Sequence, residues 1–528
     1  MKFRLTQLKQ SLDDWQMPLN VVAARALHIR PAEVVSARLV RKSVDARDKS
    51  DVHFTLSLDV ETSRPVRPLP RGAELIEDKP SIVTEPFRGT LPHRPVVVGM
   101  GPAGLFAGLT LATAGLRPLV IERGQPVEQR ERDVETFWRG GQLDPRSNVQ
   151  FGEGGAGAFS DGKLNSGIKD PRCRKVLEIF HAAGAPEEIL WEAKPHIGTD
   201  RLKITVRGLR ERIIALGGEV RFNTTLTGLR VVDGQITGAI LNGGEVFDTN
   251  HVLLAVGHSA RDTFQWLHDM GVRMSPKPFA IGARIEHRQA DIDRAQYGKF
   301  AAHPALGAAD YKLSVHLPGG RSVFTFCMCP GGVVVAAASE EGGAVVNGMS
   351  LFARDGKNAN SAVLVNVTPE DFGGDDPLAG VRFQQQWERA AFIAGGSDYR
   401  APAQTVGDFL RRVPSQKGGK VVPSYRPGVK WGDLDECLPD FVTDALREAL
   451  PLLDRKLRGF ASLDAVLTGV ETRSSSPLRI ERDERCVASL RGLYPCGEGA
   501  GYAGGIMSAA VDGMRCAEKI MEDAKIQG

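Results

Sequence analysis

Seven side chains in this sequence sit where their types and spacing could do chemistry. Arg284, Glu286 and His287 lie in residues 281–287, whose alternation predicts a strand. Ile281, Ala283 and Ile285 then share one face, and Gly282, Arg284 and Glu286 the other. A charged strand face can line a substrate pocket, and His287 can exchange protons near neutral pH. The same pattern also suits an Arg–Glu pair on a solvated edge strand. Arg473, in the polar stretch 472–477, is a candidate clamp for an anion or carbonyl, or part of an ordinary loop. Lys163 is the one cation of a glycine-rich run, residues 151–163. Cys327 and Cys329, two apart and so on one strand face, could be redox-active or bind a soft metal. With only two thiols there and no histidine cluster at ligand spacing, no metal is expected, and burial in a β core is the commoner fate of such thiols.

Glycines carry the most specific signal. Gly99-Met100-Gly101-Pro102-Ala103-Gly104 follows an apolar β-branched run, opens a helix, and precedes a second strand that ends at Glu122 and Arg123. That context makes GxGxxG a dinucleotide fingerprint rather than a chance glycine turn. Gly99 permits the tight turn, Gly101 lets the backbone approach a diphosphate, and Gly104 lets the helix pack closely on the sheet. The helix start, at Pro102 and Ala103, presents the positive end of its dipole to phosphate. Glu122 is placed to accept ribose hydroxyls, and an acid there disfavours a 2′-phosphate.

Two further pieces follow the same logic. Near the C-terminus a strand runs into a glycine turn and then a helix, with Gly497, Glu498, Gly504, Gly505 and Ile506. Residues 252–259 form a strand and small-residue turn around Gly257. The three pieces, in this order, resemble the glutathione-reductase-like FAD superfamily. The resemblance implies FAD, with Glu498 near the ribityl or phosphate region and the helix opening at Ile506 facing the flavin pyrimidine. On this reading the backbone at Gly154, Gly155 and Gly157 contacts the cofactor, and Lys163 stands near the flavin's reactive edge. Residues 148–164, 281–287, 326–332 and 347–350 also resemble a poorly characterised group of bacterial FAD-dependent dehydrogenases, across essentially the whole chain. That resemblance implies a redox role and names no substrate.

These residues need a scaffold of alternating strands and helices. The pattern from residue 95 onward is βαβ, which predicts an α/β, Rossmann-like FAD domain in two parts, 91–275 and 460–528. Between them, 276–459 reads as an inserted β-rich α+β domain that caps the flavin and helps form the substrate cleft. Residues 1–90 read as a small N-terminal α+β domain and linker: a helix at 18–28, strands at 34–43 and 52–60, and a Pro-rich stretch at 64–94.

A formal charge of +3 over 528 residues argues against a nucleic-acid or membrane field. The N-terminus lacks the apolar run of a signal peptide, no stretch is long and apolar enough to span a bilayer, and seven cysteines form no disulfide framework, so a cytoplasmic protein is expected. The mid-chain carries no second GxGxxG, so NAD(P)H could visit only transiently. The expected activity is an FAD-dependent oxidoreductase acting on a small-molecule substrate, with its redox partner open. A flavin monooxygenase, or a flavin-containing binding or RNA-modification accessory protein, stands as the alternative; the absence of a basic cluster or aromatic platform in the N-terminal domain counts against nucleic acid.

Overall fold

The computed structural model describes residues 1–66, 68–69, 72–76 and 90–527, with side chains through Asp523. Much of the expected linker at 64–94 therefore lies outside the described residues.

Four of the strands that form the first sheet after residue 95 are short and apolar because both of their faces are covered, and the fifth, Glu219–Arg221, is a half-buried edge. Leu493–Pro495, Val252–Leu254, Val96–Val98, Leu119–Ile121 and Glu219–Arg221 form, in that order, a parallel sheet. Alternation sorts their side chains. Val97, Val120 and Leu253 pack beneath the helices Pro102–Thr113, Thr199–Ala215 and Ile506–Gln527, against Phe106, Leu209 and Met514. Val98, Ile121 and Leu254 pack on the opposite side, against Leu226, Ile236 and Leu241 of an antiparallel sheet spanning Leu226–Val232, Gln235–Leu241 and Glu245–Asp248.

The chain leaves this layer through Met274–Pro276 and returns through Leu478–Ile480, and these two crossing strands pair with each other. Between them lies a larger sheet, in the order Ser314–His316, Ser322–Cys329, Asn358–Val367, Phe279–Arg288, Val466–Glu471, Ala401–Thr405 and Val429–Trp431. Val466–Glu471 was assigned by sequence to the last cofactor piece, 460–528. It instead pairs with Phe279–Arg288 and Ala401–Thr405, so the return to the first sheet comes after it.

The N-terminal sheet runs Val34–Asp45, His53–Thr62, Lys2–Ser11, Ala73–Leu75, with the helix Leu19–Leu27 against it. Lys2–Ser11 escapes notice in the sequence because a bulge between Leu5 and Leu8, with Gln7 at φ +58°, breaks its alternation. Phe3, Leu58 and Val60 share one apolar core with Ile281, Ile285 and Leu446, which fixes this unit to the inserted domain. The architecture is α/β: a discontinuous Rossmann-like domain, an inserted β-rich α+β domain and a small N-terminal α+β domain. No described helix is long and apolar enough to cross a membrane.

Candidate functional site

A continuous cavity of about 520 Å³ begins at the GxGxxG turn, at the C-terminal edge of the parallel sheet, and ends against the inserted domain. Gly99, Gly101, Pro102, Ala103, Glu122 and Arg123 line its start. Gly99 turns the chain at φ +98°, and a Cβ on Gly104 would lie 1.8 Å from the Gly99 carbonyl oxygen, so Gly104 serves the packing of the turn and does not line the cavity. Glu122 ties three loops together: its Oε2 accepts from the Met100 N–H at 2.9 Å, and its Oε1 from those of Gly124 at 2.9 Å and Gly152 at 3.0 Å. A carboxylate has about four acceptor positions, which leaves room for a ligand hydroxyl. Arg123 lies 4.5 Å over the Phe151 ring and donates to Asp262 and Thr263.

The glycine-rich run folds over this turn. Gly154 N–H donates to the Met100 carbonyl at 2.8 Å, and Gly155 and Gly157 line the cavity; Gly154 itself packs against Ala158 and Val206. The residue that shapes this loop is Arg130, which sequence reasoning missed. Fully buried, it donates to the carbonyls of Asn148, Val149, Gly152 and Glu153. Arg130→Ala should leave those acceptors buried without donors and lower the unfolding free energy in urea titrations by at least about 3 kcal/mol.

Further along, Gly257, His258, Glu498, Gly504, Gly505 and Ile506 line the wall. Gly497 does not: its role is to pass Ala103, whose Cβ would lie 2.8 Å from an added one. The helix Ile506–Gln527 opens towards the cavity. Among the described residues, a Cβ at Gly257, Gly504 or Gly505 would meet nothing within 4 Å, and at Gly101 only the Gly155 Cα at 3.8 Å. At Gly101, Gly504 and Gly505 the backbone also lies outside the left-handed region, so the protein itself makes no demand for glycine there. His258 Nε2 is buried beside this wall with no hydrogen-bond partner among the described residues, while its Nδ1 lies 3.5 Å from Glu498.

At the far end stand Lys163, Asp161, Arg354, Cys327, Glu471 and Arg473. Lys163 is 2.8 Å from Asp161 and donates to the Met328 carbonyl; Arg354 pairs with the same carboxylate. Arg473 has all three guanidinium nitrogens engaged, by Glu388, Ser259 and Ser339. Glu388 holds both Arg473 and Arg261, and Arg261 pairs with Glu340 as well, so the donors of the expected anion clamp are already engaged from within.

Arg284, Glu286 and His287 do not line the cavity, which corrects the expectation for this strand. Phe279–Arg288 is central in its sheet, neither a pocket wall nor a solvated edge. Arg284, fully buried, lies one layer behind the wall and donates to Glu471 at 2.5 Å, to the Cys327 carbonyl and to Asn347 and Asn360. Glu286 accepts from Ser424 and Asn358 and pins that loop. His287 is bonded through Nε2 to the Phe460 carbonyl at 2.7 Å, and burial pulls its pKa down to about 4, so it is neutral at physiological pH and remote from the site. Glu471, in contrast, is part of the wall, and burial raises its carboxyl to about 7 although Arg284 works against the rise. Its position two residues before Arg473 gave no local signal.

Cys327 and Cys329 do not simply share a face: the strand bulges between Phe326 and Cys329, so Cys327 lines the cavity and Cys329 is buried behind it. Cys496, also at the cavity wall, is buried with Asp512 and Cys516, their ligand atoms within 4.8 Å of one another, but Arg482 already fills that carboxylate and reaches the Cys516 sulfur at 3.3 Å.

Residues 278–474 match the family described as FAD-dependent protein, C-terminal domain-like; residues 94–157 match the FAD binding domain, and residues 2–61 a domain of unknown function (DUF8436). A Clostridium beijerinckii protein described as uncharacterized is 48% identical over 533 residues, covering 99% of each chain. Similar solved structures include the flavin-dependent brominase Bmp2, at 13% identity over 82% of this chain and 79% of that one, with a TM-score of 0.37. A variant of E. coli quinol fumarate reductase FrdA is 12% identical over 84% and 72%, with a TM-score of 0.38. The L-amino acid deaminase from Proteus vulgaris is 14% identical over 82% and 95%, with a TM-score of 0.32. End-to-end identity with the Clostridium protein, and the two FAD modules that flank the cavity, place this chain in a family of FAD-dependent proteins, to which it belongs.

Proposed function

We propose that this protein is an FAD-dependent oxidoreductase, of dehydrogenase or reductase type, passing hydride or electrons between a small organic substrate and FAD held along the cavity. One observation carries the reading: a single cavity joins glycine turns at two helix openings to a cluster of ionisable side chains. The residues fit the cofactor. Gly101, Gly257, Gly504 and Gly505 leave a cradle that a Cβ would fill, and His258 Nε2 is a buried polar atom awaiting a partner. FAD supplies two-electron redox chemistry when bound. The turn at Gly101 and the helix opening at Pro102 receive the diphosphate, and Glu122 receives a ribose hydroxyl. The opening of Ile506–Gln527 favours negative charge at the flavin end. Glu471 takes up or releases a proton at the wall near neutral pH, while Lys163, fixed by Asp161, supplies positive charge.

The test is direct. Purified protein should be yellow, and its flavin band should bleach anaerobically with one class of donor from a panel of NADH, NADPH, amines, amino acids and hydroxy acids. A folded preparation that takes up no FAD, or whose FAD no donor reduces, refutes the proposal.

Glu471 also predicts a pH dependence. The rate of flavin reduction should inflect near pH 7, and Glu471→Gln should remove that inflection. Stability follows with a definite sign: between the ordinary value of 4.5 and about 7 the folded chain holds a proton that the unfolded chain releases, so stability falls as pH rises through that window. In Glu471→Gln this slope should flatten in pH-resolved unfolding titrations.

A further inference from the structure

We propose that Cys327 and Cys329 form a dithiol–disulfide couple that exchanges two electrons with the flavin held in the cavity. The identity of the electron acceptor rests on the FAD reading above; the couple itself rests on geometry.

The strand Ser322–Cys329 pairs Phe326 with Ala362 and Cys329 with Asn360, so one extra residue is accommodated between them. Bulges of this kind re-aim side chains beside active sites. Here Cys327 takes φ +42°, a strained conformation for a residue with a Cβ, and lines the cavity. Cys329 is fully buried behind it, and its thiol donates to the Cys327 carbonyl oxygen at 3.3 Å. A fully extended strand would hold residues two apart at about 6.6 Å between Cα atoms, near the upper limit for a disulfide, and the bulge with Cys327 at φ +42° interrupts that extended run between the two cysteines.

The surroundings favour a thiolate. Arg284 donates to the Cys327 carbonyl at 2.9 Å and lies 4.0 Å from the Cys329 sulfur. Lys163 donates to the carbonyl of Met328, the residue between the two thiols. The contact with Cys329 holds the Cys327 thiol below its ordinary range against the penalty of burial, with Arg284 and Lys163 adding to the effect, while Cys329 is pushed up. One thiolate facing the cavity and one protonated thiol behind it is the arrangement that exchange chemistry requires.

The step balances. Cys327 enters as thiolate and Cys329 as thiol; the Cys329 S–H bond breaks as the S–S bond forms. The electron pair and the proton released pass to oxidised flavin, giving its reduced anion. In reverse, reduced flavin opens the disulfide.

The experiment equilibrates FAD-loaded and cofactor-stripped protein anaerobically in glutathione redox buffers, quenches with acid, alkylates, and maps thiols by mass spectrometry. Cys327 and Cys329 should lose their alkylatable thiols together, in one two-electron transition, in both preparations. Thiols that persist across the whole range, or glutathione left on Cys327 with Cys329 free, would overturn the couple. In loaded protein, anaerobic dithionite titration of the oxidised form should consume twice the electrons that flavin alone takes, and Cys329→Ser should halve that uptake. A bridge that forms with no extra uptake overturns the exchange with flavin. A chain that takes up no FAD defeats the cofactor reading and the exchange, while thiol mapping of the stripped protein still decides whether the couple exists. The wild-type mapping needs no variant, so poor folding of Cys329→Ser leaves it decisive.

Discussion

Gly101→Ala is expected to give a folded protein that has lost most of its FAD. Its backbone, at φ −71° and ψ −177°, is one that any residue adopts, and the new Cβ would meet protein only at 3.8 Å, an ordinary contact. The cofactor-stripped variant should therefore unfold within about 0.5 kcal/mol of the parent. The methyl group would instead occupy the space of the diphosphate. Overpacking of that kind costs about 1–3 kcal/mol, or roughly a 5- to 150-fold loss of FAD affinity, read by fluorescence titration of stripped protein. Gly104→Ala is the contrasting control. Its Cβ would lie 1.8 Å from the Gly99 carbonyl, so it should fail by folding and not by binding. Undiminished affinity in folded Gly101→Ala would remove the diphosphate from this turn.

The second large effect is expected at Arg284. Arg284→Met leaves Glu471 buried beside no cation, and the side-chain oxygens of Asn347 and Asn360 lose a donor. Breaking a buried ion pair from one side costs about 3–5 kcal/mol, and urea titration of the stripped protein should show a loss of that order. The double variant Arg284→Met, Glu471→Leu should recover a large part of it, because no buried carboxyl is then left without its partner. This separates a positioning role from a direct one: a variant that keeps parental stability but no longer reduces its flavin would return Arg284 to the reaction itself.

Both predictions concern residues that the sequence alone had already picked out, yet it assigned their roles with unequal success. The turn at Gly99–Gly104 was legible because its requirements are local. A strand, a tight turn and a helix start must follow one another within a few residues, and the demands on each glycine come from backbone atoms close by in the chain, as the 1.8 Å approach of Gly104 to Gly99 illustrates. The same holds for the helix opening at Ile506 and for the apolar strands of the parallel sheet, whose burial on both faces is written in their composition.

The far end of the cavity, at Lys163 and Glu471, was not legible in this way. Alternation placed Arg284 and Glu286 together on one face, but it carries no information about a strand's place in its sheet or about what covers that face. Arg284 finds its partner at Glu471, 187 residues away, and Lys163 finds the Met328 carbonyl 165 residues away. Cys327 reaches the cavity only through a bulge that interrupts the very periodicity from which its orientation was inferred. The sequence by itself determined the cofactor frame, because short-range backbone sterics and hydrophobic period specify it. Tertiary structure alone decided which ionisable groups meet there, because burial, charge pairing and strand order arise from contacts between segments that no local pattern links.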